Sequence, residues 1–386
     1  MISAKDLRAV STPNPLQRLR DCGQSVWLDY IRRDFIRGGE LRRVVEEDGI
    51  AGMTSNPTIF EKALAGSTDY DAGLRSAIAS HPDAGPHALF ERLEVEDIQM
   101  AADVLRPVYD ATDGADGFVS IEVSPDGARS TKGTIEEARR LWKEVNRPNL
   151  MVKVPSSNVG IPAVEILIAE GINVNITLMF SIRHYEAVAQ AYLRGLERAR
   201  DLRQISSVAS FFVSRVDTAV DRKLEAIGTP EALALRGKIA IANAKRVYGR
   251  FKEIFLGEPF ASLERRGARL QRPLWASTGT KNPAYSDVLY VESLIGPHTI
   301  NTMPPATLDA FRNHGKVALT VERGVEEAEA ALARIEALGI HLDEITEKLV
   351  MDGEAAFAAS FAKLLAALDE KRKLLVAKSL EDQPGG

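Results

Sequence analysis

One lysine stands out among the 386 residues. Lys153 lies in Leu150-Met-Val-Lys-Val-Pro155, with apolar neighbours on both sides and a proline closing the run. A strand there takes the side chain out of bulk water, and a buried ammonium is costly unless it is neutralised or paired. Desolvation favours a free amine, which attacks carbonyl carbon and forms a Schiff base. The competing reading is a structural lysine paired with a barrel carboxylate. Asp29 closes Val26-Trp-Leu-Asp29, and Glu122 sits near the end of Phe118-Val-Ser-Ile-Glu-Val123. Partly buried carboxyls have raised pKa values and suit proton transfer, although either one alone also reads as a salt-bridge partner for Lys153 or Arg215. Asn56, Asn175, Thr177, Ser210 and Ser277 add hydrogen-bonding groups at or near other strand ends. A single such residue is usually a satisfied structural group, whereas a ring of them around one cavity fits a polyhydroxylated ligand. Arg215 follows Ser210-Phe-Phe-Val-Ser into a helix start, and Ser277-Thr-Gly-Thr-Lys281 is a donor-rich loop. Free N–H groups at helix starts and loops of this kind bind anions, but the loop lacks the glycine spacing of a P-loop.

These residues need elements to hold them. Eight short apolar or β-branched runs recur along the chain: Val26–Asp29, Ile50–Asn56, Phe118–Val123, Leu150–Pro155, Asn173–Thr177, Ile205–Phe212, Leu274–Ser277 and Thr299–Met303. Helical periodicity fills the gaps, as in Thr134–Val145, Ile161–Glu170, Ile182–Asp201 and Glu231–Phe255. Eight strand–helix units predict an α/β fold, a (β/α)8 TIM barrel with extra helices. Within two runs the residues alternate: Ser120 and Glu122 oppose Val119, Ile121 and Val123, and Asn173, Asn175 and Thr177 oppose Val174, Ile176 and Leu178. The apolar faces must meet helices, so the polar faces point into the barrel. An antiparallel sheet with one wet face alternates too, but long helical crossovers disfavour it. Pro155 closes its strand by withholding a ladder donor, which puts Lys153 near the C-terminal mouth, where barrel active sites lie.

Two segments exceed what a barrel requires. Residues 57–108 predict two or three helices between the second and third strands, and 324–379 predict a helical extension, broken at Gly339, that packs on the barrel. The whole chain, 1–386, is expected to be one barrel domain, with 1–13 and 380–386 irregular; a separate helical domain is the alternative. Lys+Arg 49 against Asp+Glu 54, a net charge of -5, gives no basic footprint for nucleic acid. Lys5, Asp6 and Arg8 interrupt the N-terminus and no run approaches a membrane span, so neither a cleavable signal nor a membrane partner is expected. Cys22, the only cysteine, is expected to be a buried thiol in a reducing cytoplasm. None of the six histidines forms a metal-type i, i+4 pair, and no GxGxxG follows a strand, so neither a metal nor a dinucleotide cofactor is expected.

The set of segments resembles the transaldolase family, a class I aldolase-type barrel, in its longer bacterial form. The matching pieces are Trp27-Leu-Asp29, Thr54-Ser-Asn-Pro-Thr58, Ile121-Glu-Val123, Met151-Val-Lys-Val-Pro155, Gly171-Ile-Asn-Val-Asn-Ile-Thr-Leu178, Ser210-Phe-Phe-Val-Ser-Arg215 and Ala276-Ser277. The resemblance implies that Lys153 forms a Schiff base with a ketose phosphate, sedoheptulose 7-phosphate or fructose 6-phosphate. Asp29 then takes the C4 hydroxyl proton, and Glu122 moves protons through a water positioned by Thr177. It further implies that Asn56, Asn175, Ser210 and Phe212 form the substrate-binding set and that Arg215 and Ser277 meet the phosphate. No cofactor or metal is implied, and the partners are sugar phosphates, including glyceraldehyde 3-phosphate or erythrose 4-phosphate as acceptor, in the non-oxidative pentose phosphate pathway. One departure matters: where many relatives have a second phosphate-binding arginine after the seventh strand, this chain has Thr278-Gly-Thr-Lys281; Lys281 is expected to serve as the phosphate-binding cation there, although a lysine lacks the bidentate fork of arginine. Three alternatives stand beside this reading: an aldolase releasing free dihydroxyacetone, a glycoside hydrolase using Asp29 and Glu122, and a non-catalytic sugar-phosphate-binding barrel. Monomer and homodimer stay equally open.

Overall fold

The computed structural model describes residues 14–381. Eight strands, β1 (Gln24–Asp29), β2 (Gly52–Thr54), β3 (Phe118–Glu122), β4 (Leu150–Pro155), β5 (Val174–Met179), β6 (Ser207–Phe212), β7 (Gln271–Ala276) and β8 (Thr299–Met303), close in sequence order into a barrel. Every neighbouring pair is parallel, and β8 returns to β1. This is the expected TIM barrel, and the antiparallel alternative is gone. All eight strands fall on the expected runs, although only three residues of the second run pair as β2.

The alternation within the strands separates two apolar regions. Val119, Ile121, Val123, Val152, Val154, Val174 and Ile176 belong to the large core between barrel and helices. Trp27, Phe118, Met151, Val208, Leu274 and Ile300 form a second cluster from the opposite strand faces, which fills the barrel interior. Below that plug, Asp116 binds the Trp27 indole (2.7 Å), the Ser25 hydroxyl and Arg272 (3.2 Å), closing the N-terminal end of the barrel. Because side chains repeat every second residue, Asp29, Glu122, Lys153 and Ser210 sit one step above Trp27, Ser120, Met151 and Val208. The plug is their floor.

The segment between β2 and β3 forms three helices, Pro57–Gly66, Asp71–Ser80 and Pro86–Ala111. Arg33, fully buried after β1, ties them to the barrel: its guanidinium meets Asp97 (2.7 Å) and the Leu93 carbonyl (3.0 Å), and it lies 5.1 Å from the Tyr70 ring, whose hydroxyl donates to Asp97 at 2.7 Å. Two expectations need correction. The single helix over 231–255 is two, Pro230–Leu233 and Ile239–Phe255. Gly237 turns the chain with a positive φ (70°), while its N–H donates to Asp221 at 3.1 Å and that of Ala240 to Asp217 at 2.7 Å. The two carboxylates satisfy backbone donors at the start of the second helix, which makes the break stable. Cys22 is only partly buried, because it lies in the tight 3-10 turn Arg20–Cys22 ahead of β1.

The C-terminal segment forms the helices Val325–Ala337 and Leu342–Glu381 on either side of Gly339. The second has 40 residues and is about 60 Å long at 1.5 Å per residue. It packs on the three inserted helices, on the helix Ser214–Ile227 and on β5, burying Leu364 and Leu368. Helix continues through Glu381, past the expected end at residue 379. The remaining residues expected to be irregular, 1–13 and 382–386, lie outside the described residues.

Arg33→Ala is expected to destabilise the protein by about 3 kcal/mol at pH 7.5, because it leaves Asp97 buried without its cation. Burial already pushes the Asp97 carboxyl up to about 6 against the opposing pull of Arg33. A raised acid gains stability as pH falls toward its unfolded value, so the deficit is expected to shrink at pH 5. Denaturant unfolding at both pH values checks this; a loss under 1 kcal/mol at pH 7.5 contradicts it.

Candidate active site

Strand register brings the key side chains together. Glu122 pairs with Lys153 across β3 and β4, Lys153 with Asn175 across β4 and β5, and Asp29 with Thr54 across β1 and β2. Paired residues share a face, so Glu122, Lys153 and Asn175 all point into the barrel. Pro155 ends β4, as expected, and holds Lys153 close to the mouth. The lysine is buried, with Nζ 3.1 Å from Glu122 Oε2 and 3.2 Å from the Ser55 carbonyl oxygen. The carboxylate partner of the structural reading is therefore present, but it lies in a cavity and not in packed core.

That cavity has a volume of about 300 Å³ at the C-terminal mouth, and its wall includes Asp29, Asn56, Glu122, Lys153, Thr177 and Ser210. Asp29 accepts a hydrogen bond from Thr54 Oγ1 at 2.8 Å. Burial raises the carboxyls of both Asp29 and Glu122 above their ordinary values, against the opposing pull of Lys153; Asp29 adds repulsion at Glu122. Asn56 has two duties. Its Oδ1 accepts from the Ile59 N–H at 3.2 Å, capping the helix Pro57–Gly66, while its side chain also bonds Asp29. The Thr177 hydroxyl is buried on the cavity wall with no partner among the described residues. Such a group has unmet hydrogen-bonding capacity aimed at whatever enters.

The mouth is cationic. Phe212 lies on the wall with the Arg215 guanidinium 5.2 Å from its ring, and Ser277, just past β7, shares a 2.9 Å hydroxyl contact with Ser214 at the start of the helix Ser214–Ile227. Ser277 has a positive φ of 56°, an uncommon backbone for a residue with a side chain. Lys281 is exposed on the same rim. Neither Arg215 nor Lys281 has a hydrogen-bonded or ion-paired partner among the described residues.

Asn175 is the expected site residue that does not reach the wall. Its amide lies one layer down, donating to Ser120 Oγ (3.0 Å) and accepting from Ser210 Oγ (2.6 Å), with no exposed surface. It touches the cavity through Ser210, because both ends of the amide are engaged.

A buried lysine beside a carboxylate, a second carboxylate on the same wall and two cations at the rim bring together the groups that Schiff-base aldol chemistry on an anionic carbonyl compound would need. Comparison with known proteins agrees: the family model described as Transaldolase/Fructose-6-phosphate aldolase matches residues 26–368. The chain belongs to that family. The protein named Transaldolase from Thermobifida fusca (strain YX) is 49% identical over 357 residues, covering 91% of this chain and 96% of its own length. Transaldolase from Thiobacillus denitrificans (strain ATCC 25259 / T1) is 49% identical, with 89% and 96% covered, and Transaldolase 2 from Nostoc sp. (strain PCC 7120 / SAG 25.82 / UTEX 2576) is 45% identical, with 94% and 98% covered.

Sequence reasoning passed over several wall residues of this transaldolase-family barrel. Thr54 and Thr302 join hydroxyls at 2.9 Å beneath Asp29, and the long C-terminal helix contributes Gly353, Ala356, Phe357 and Ser360 to the mouth. The one available signal was Gly353, a lone glycine inside a strongly helical stretch. A Cβ there would stand 3.0 Å from Leu178 Cδ2 and 3.6 Å from Arg215 Nη1, so the missing side chain lets the helix cross the rim closely.

Carboxyl-selective NMR titration is expected to place Asp29 and Glu122 above their ordinary 3.8 and 4.5. Lys153→Met removes the cation that lowers both and is expected to move both further up, whereas Asp29→Asn moves Glu122 down. Values at or below the ordinary ones, or the opposite directions in the variants, contradict this electrostatic picture.

Proposed function

We propose that this protein is a transaldolase, carrying a dihydroxyacetone unit from fructose 6-phosphate or sedoheptulose 7-phosphate to an aldose phosphate. The observation that carries the reading is the 3.1 Å contact between Lys153 Nζ and Glu122 inside a cavity that also holds Asp29. Lys153 attacks the C2 carbonyl after passing a proton to Glu122, and the carbinolamine loses water to give an iminium. Asp29 removes the C4 hydroxyl proton, the C3–C4 bond breaks, and its electron pair moves into the iminium, leaving an enamine on Lys153 and a free aldose phosphate. The electron sink is the imine itself, so the step requires no metal. The enamine carbon then adds to the aldehyde of the acceptor, Asp29 returns its proton to the new hydroxyl, and water releases the product ketose. Glu122 exchanges protons with a water held by the unpartnered Thr177 hydroxyl.

Asn56, Ser210 and Phe212 define the donor-binding wall in this reading, and Asn175 acts by fixing Ser210. Arg215, Ser277 and Lys281 bind the phosphate at the rim, since unpartnered cations at a helix start suit that anion. The chain works as one barrel domain, because its C-terminal helix completes the mouth. That helix also supports transfer over simple aldol cleavage: Phe357 and Ala356 roof the cavity and limit access of bulk water, which would otherwise protonate the enamine. The pathway is the non-oxidative pentose phosphate pathway, and the setting is the cytoplasm, in keeping with a single cysteine that can form no internal disulfide. Among the described residues no helix is long and apolar enough to cross a membrane.

The test is dependence on an acceptor. With fructose 6-phosphate and erythrose 4-phosphate together, sedoheptulose 7-phosphate and glyceraldehyde 3-phosphate are expected to form in equal amounts. With fructose 6-phosphate alone, glyceraldehyde 3-phosphate is expected to stop near one equivalent per site. Continuous release of dihydroxyacetone without acceptor would make the protein an aldolase instead.

A further inference from the structure

On the far side of Glu122 from the active cavity lies a second, much smaller cavity of about 20 Å³, lined among others by His87, Glu91, Glu94, Glu122, Ser124 and Glu137. It has room for one water-sized occupant. His87, Glu91 and Glu94 are at i, i+4 and i+7 of the helix Pro86–Ala111, and so share one face. Glu137 comes from the helix Thr131–Val145 opposite. One nitrogen of His87 and one oxygen each of Glu91 and Glu137 lie within 4.8 Å of one another.

Two of the carboxylates are held by fixed donors. Arg140 binds both oxygens of Glu91, and Glu137 accepts from the Ser124 N–H and hydroxyl, both at 3.0 Å. Each oxygen keeps a further lone pair for another ligand. Glu94 differs. It is only 9% exposed, lines the cavity, and has no hydrogen-bonded or ion-paired partner among the described residues. A buried carboxyl that shares a small cavity with Glu91, Glu122 and Glu137 and has no donor of its own is a group without its counter-charge.

We propose that His87, Glu91 and Glu137, with the Glu94 carboxyl beside them on the same cavity wall, form a binding site for one divalent transition-metal cation between the inserted helix Pro86–Ala111 and the barrel. With Glu91, Glu94 and Glu137 all ionised, they and the Arg140 guanidinium leave two negative charges, which a divalent ion neutralises; Glu122 is balanced by Lys153 on its other side. An imidazole among carboxylate oxygens selects a zinc-like ion over calcium or magnesium, which take oxygen alone. The metal lies outside the aldol chemistry, which the imine completes without it. Its place is structural: the His87 ring packs edge-on against Phe361 of the long C-terminal helix, with centroids 5.3 Å apart, so a ligated His87 fixes the helix that roofs the mouth.

Zinc titration of the chelator-treated, dialysed full-length protein by calorimetry tests this. One equivalent is expected to bind, and Glu94→Gln and His87→Ala are each expected to weaken binding by about 10-fold or more. His341→Ala, which removes an exposed His341–Glu336 pair elsewhere, is the control and is expected to bind as the parent does. Circular dichroism confirms that each variant is folded; the near-isosteric Glu94→Gln keeps the test valid if His87→Ala fails. No binding by the parent, or parent-like binding by a folded Glu94→Gln, overturns the proposal.

Discussion

The site depends on one ion pair placed where water is scarce. Lys153 and Glu122 are neighbours in register on β3 and β4, both pointing into the barrel, with Nζ and Oε2 at 3.1 Å. Taking either charge out of water alone would cost several kcal/mol; together they form a proton donor and acceptor already in contact. Desolvation raises the Glu122 carboxyl while the lysine restrains it. The carboxylate therefore stands in contact as an acceptor for the proton that a lysine must lose before it attacks a carbonyl.

The rest of the barrel keeps that pair in place. Trp27, Phe118, Met151 and their partners fill the interior beneath it, so the polar layer has a dry floor and cannot sink. Ser120, Asn175 and Ser210 form a hydrogen-bonded chain across three strands just below the wall and fix the side chains that face the ligand. Above, the cavity is roofed by a helix that is almost the last part of the chain, anchored to the inserted helices by Thr58 to Ser360 (3.1 Å) and by Arg372 to the Ala84 carbonyl (2.8 Å). Floor and wall come from strand periodicity. The roof comes from packing between segments some 300 residues apart.

That difference explains what could be read from the chain. Period-two alternation in Phe118–Val123 told the inward face from the outward one, because a parallel strand buried on both sides has little other reason to carry Ser120 and Glu122 on one face. Pro155 marked the mouth for the same kind of local reason. The type and strand of Asn175 suit the wall; the layer it occupies depends on Ser120 and Ser210, which belong to two other strands. Gly237 broke an otherwise helical stretch only with help from Asp217 and Asp221, and Gly353 had meaning only once Leu178 and Arg215 were beneath it. The face of His87, Glu91 and Glu94 carries no paired-histidine signal, because its one histidine is set against carboxylates.

The proposed chemistry stands or falls on a covalent bond between Lys153 and substrate. Borohydride reduction in the presence of fructose 6-phosphate, followed by peptide mass spectrometry, tests it most directly, since only an imine is trapped as a stable amine. A reduced dihydroxyacetone unit is expected on Lys153 alone, in near-stoichiometric yield. An adduct on a different lysine, or an enzyme that turns over and yields none, would contradict it.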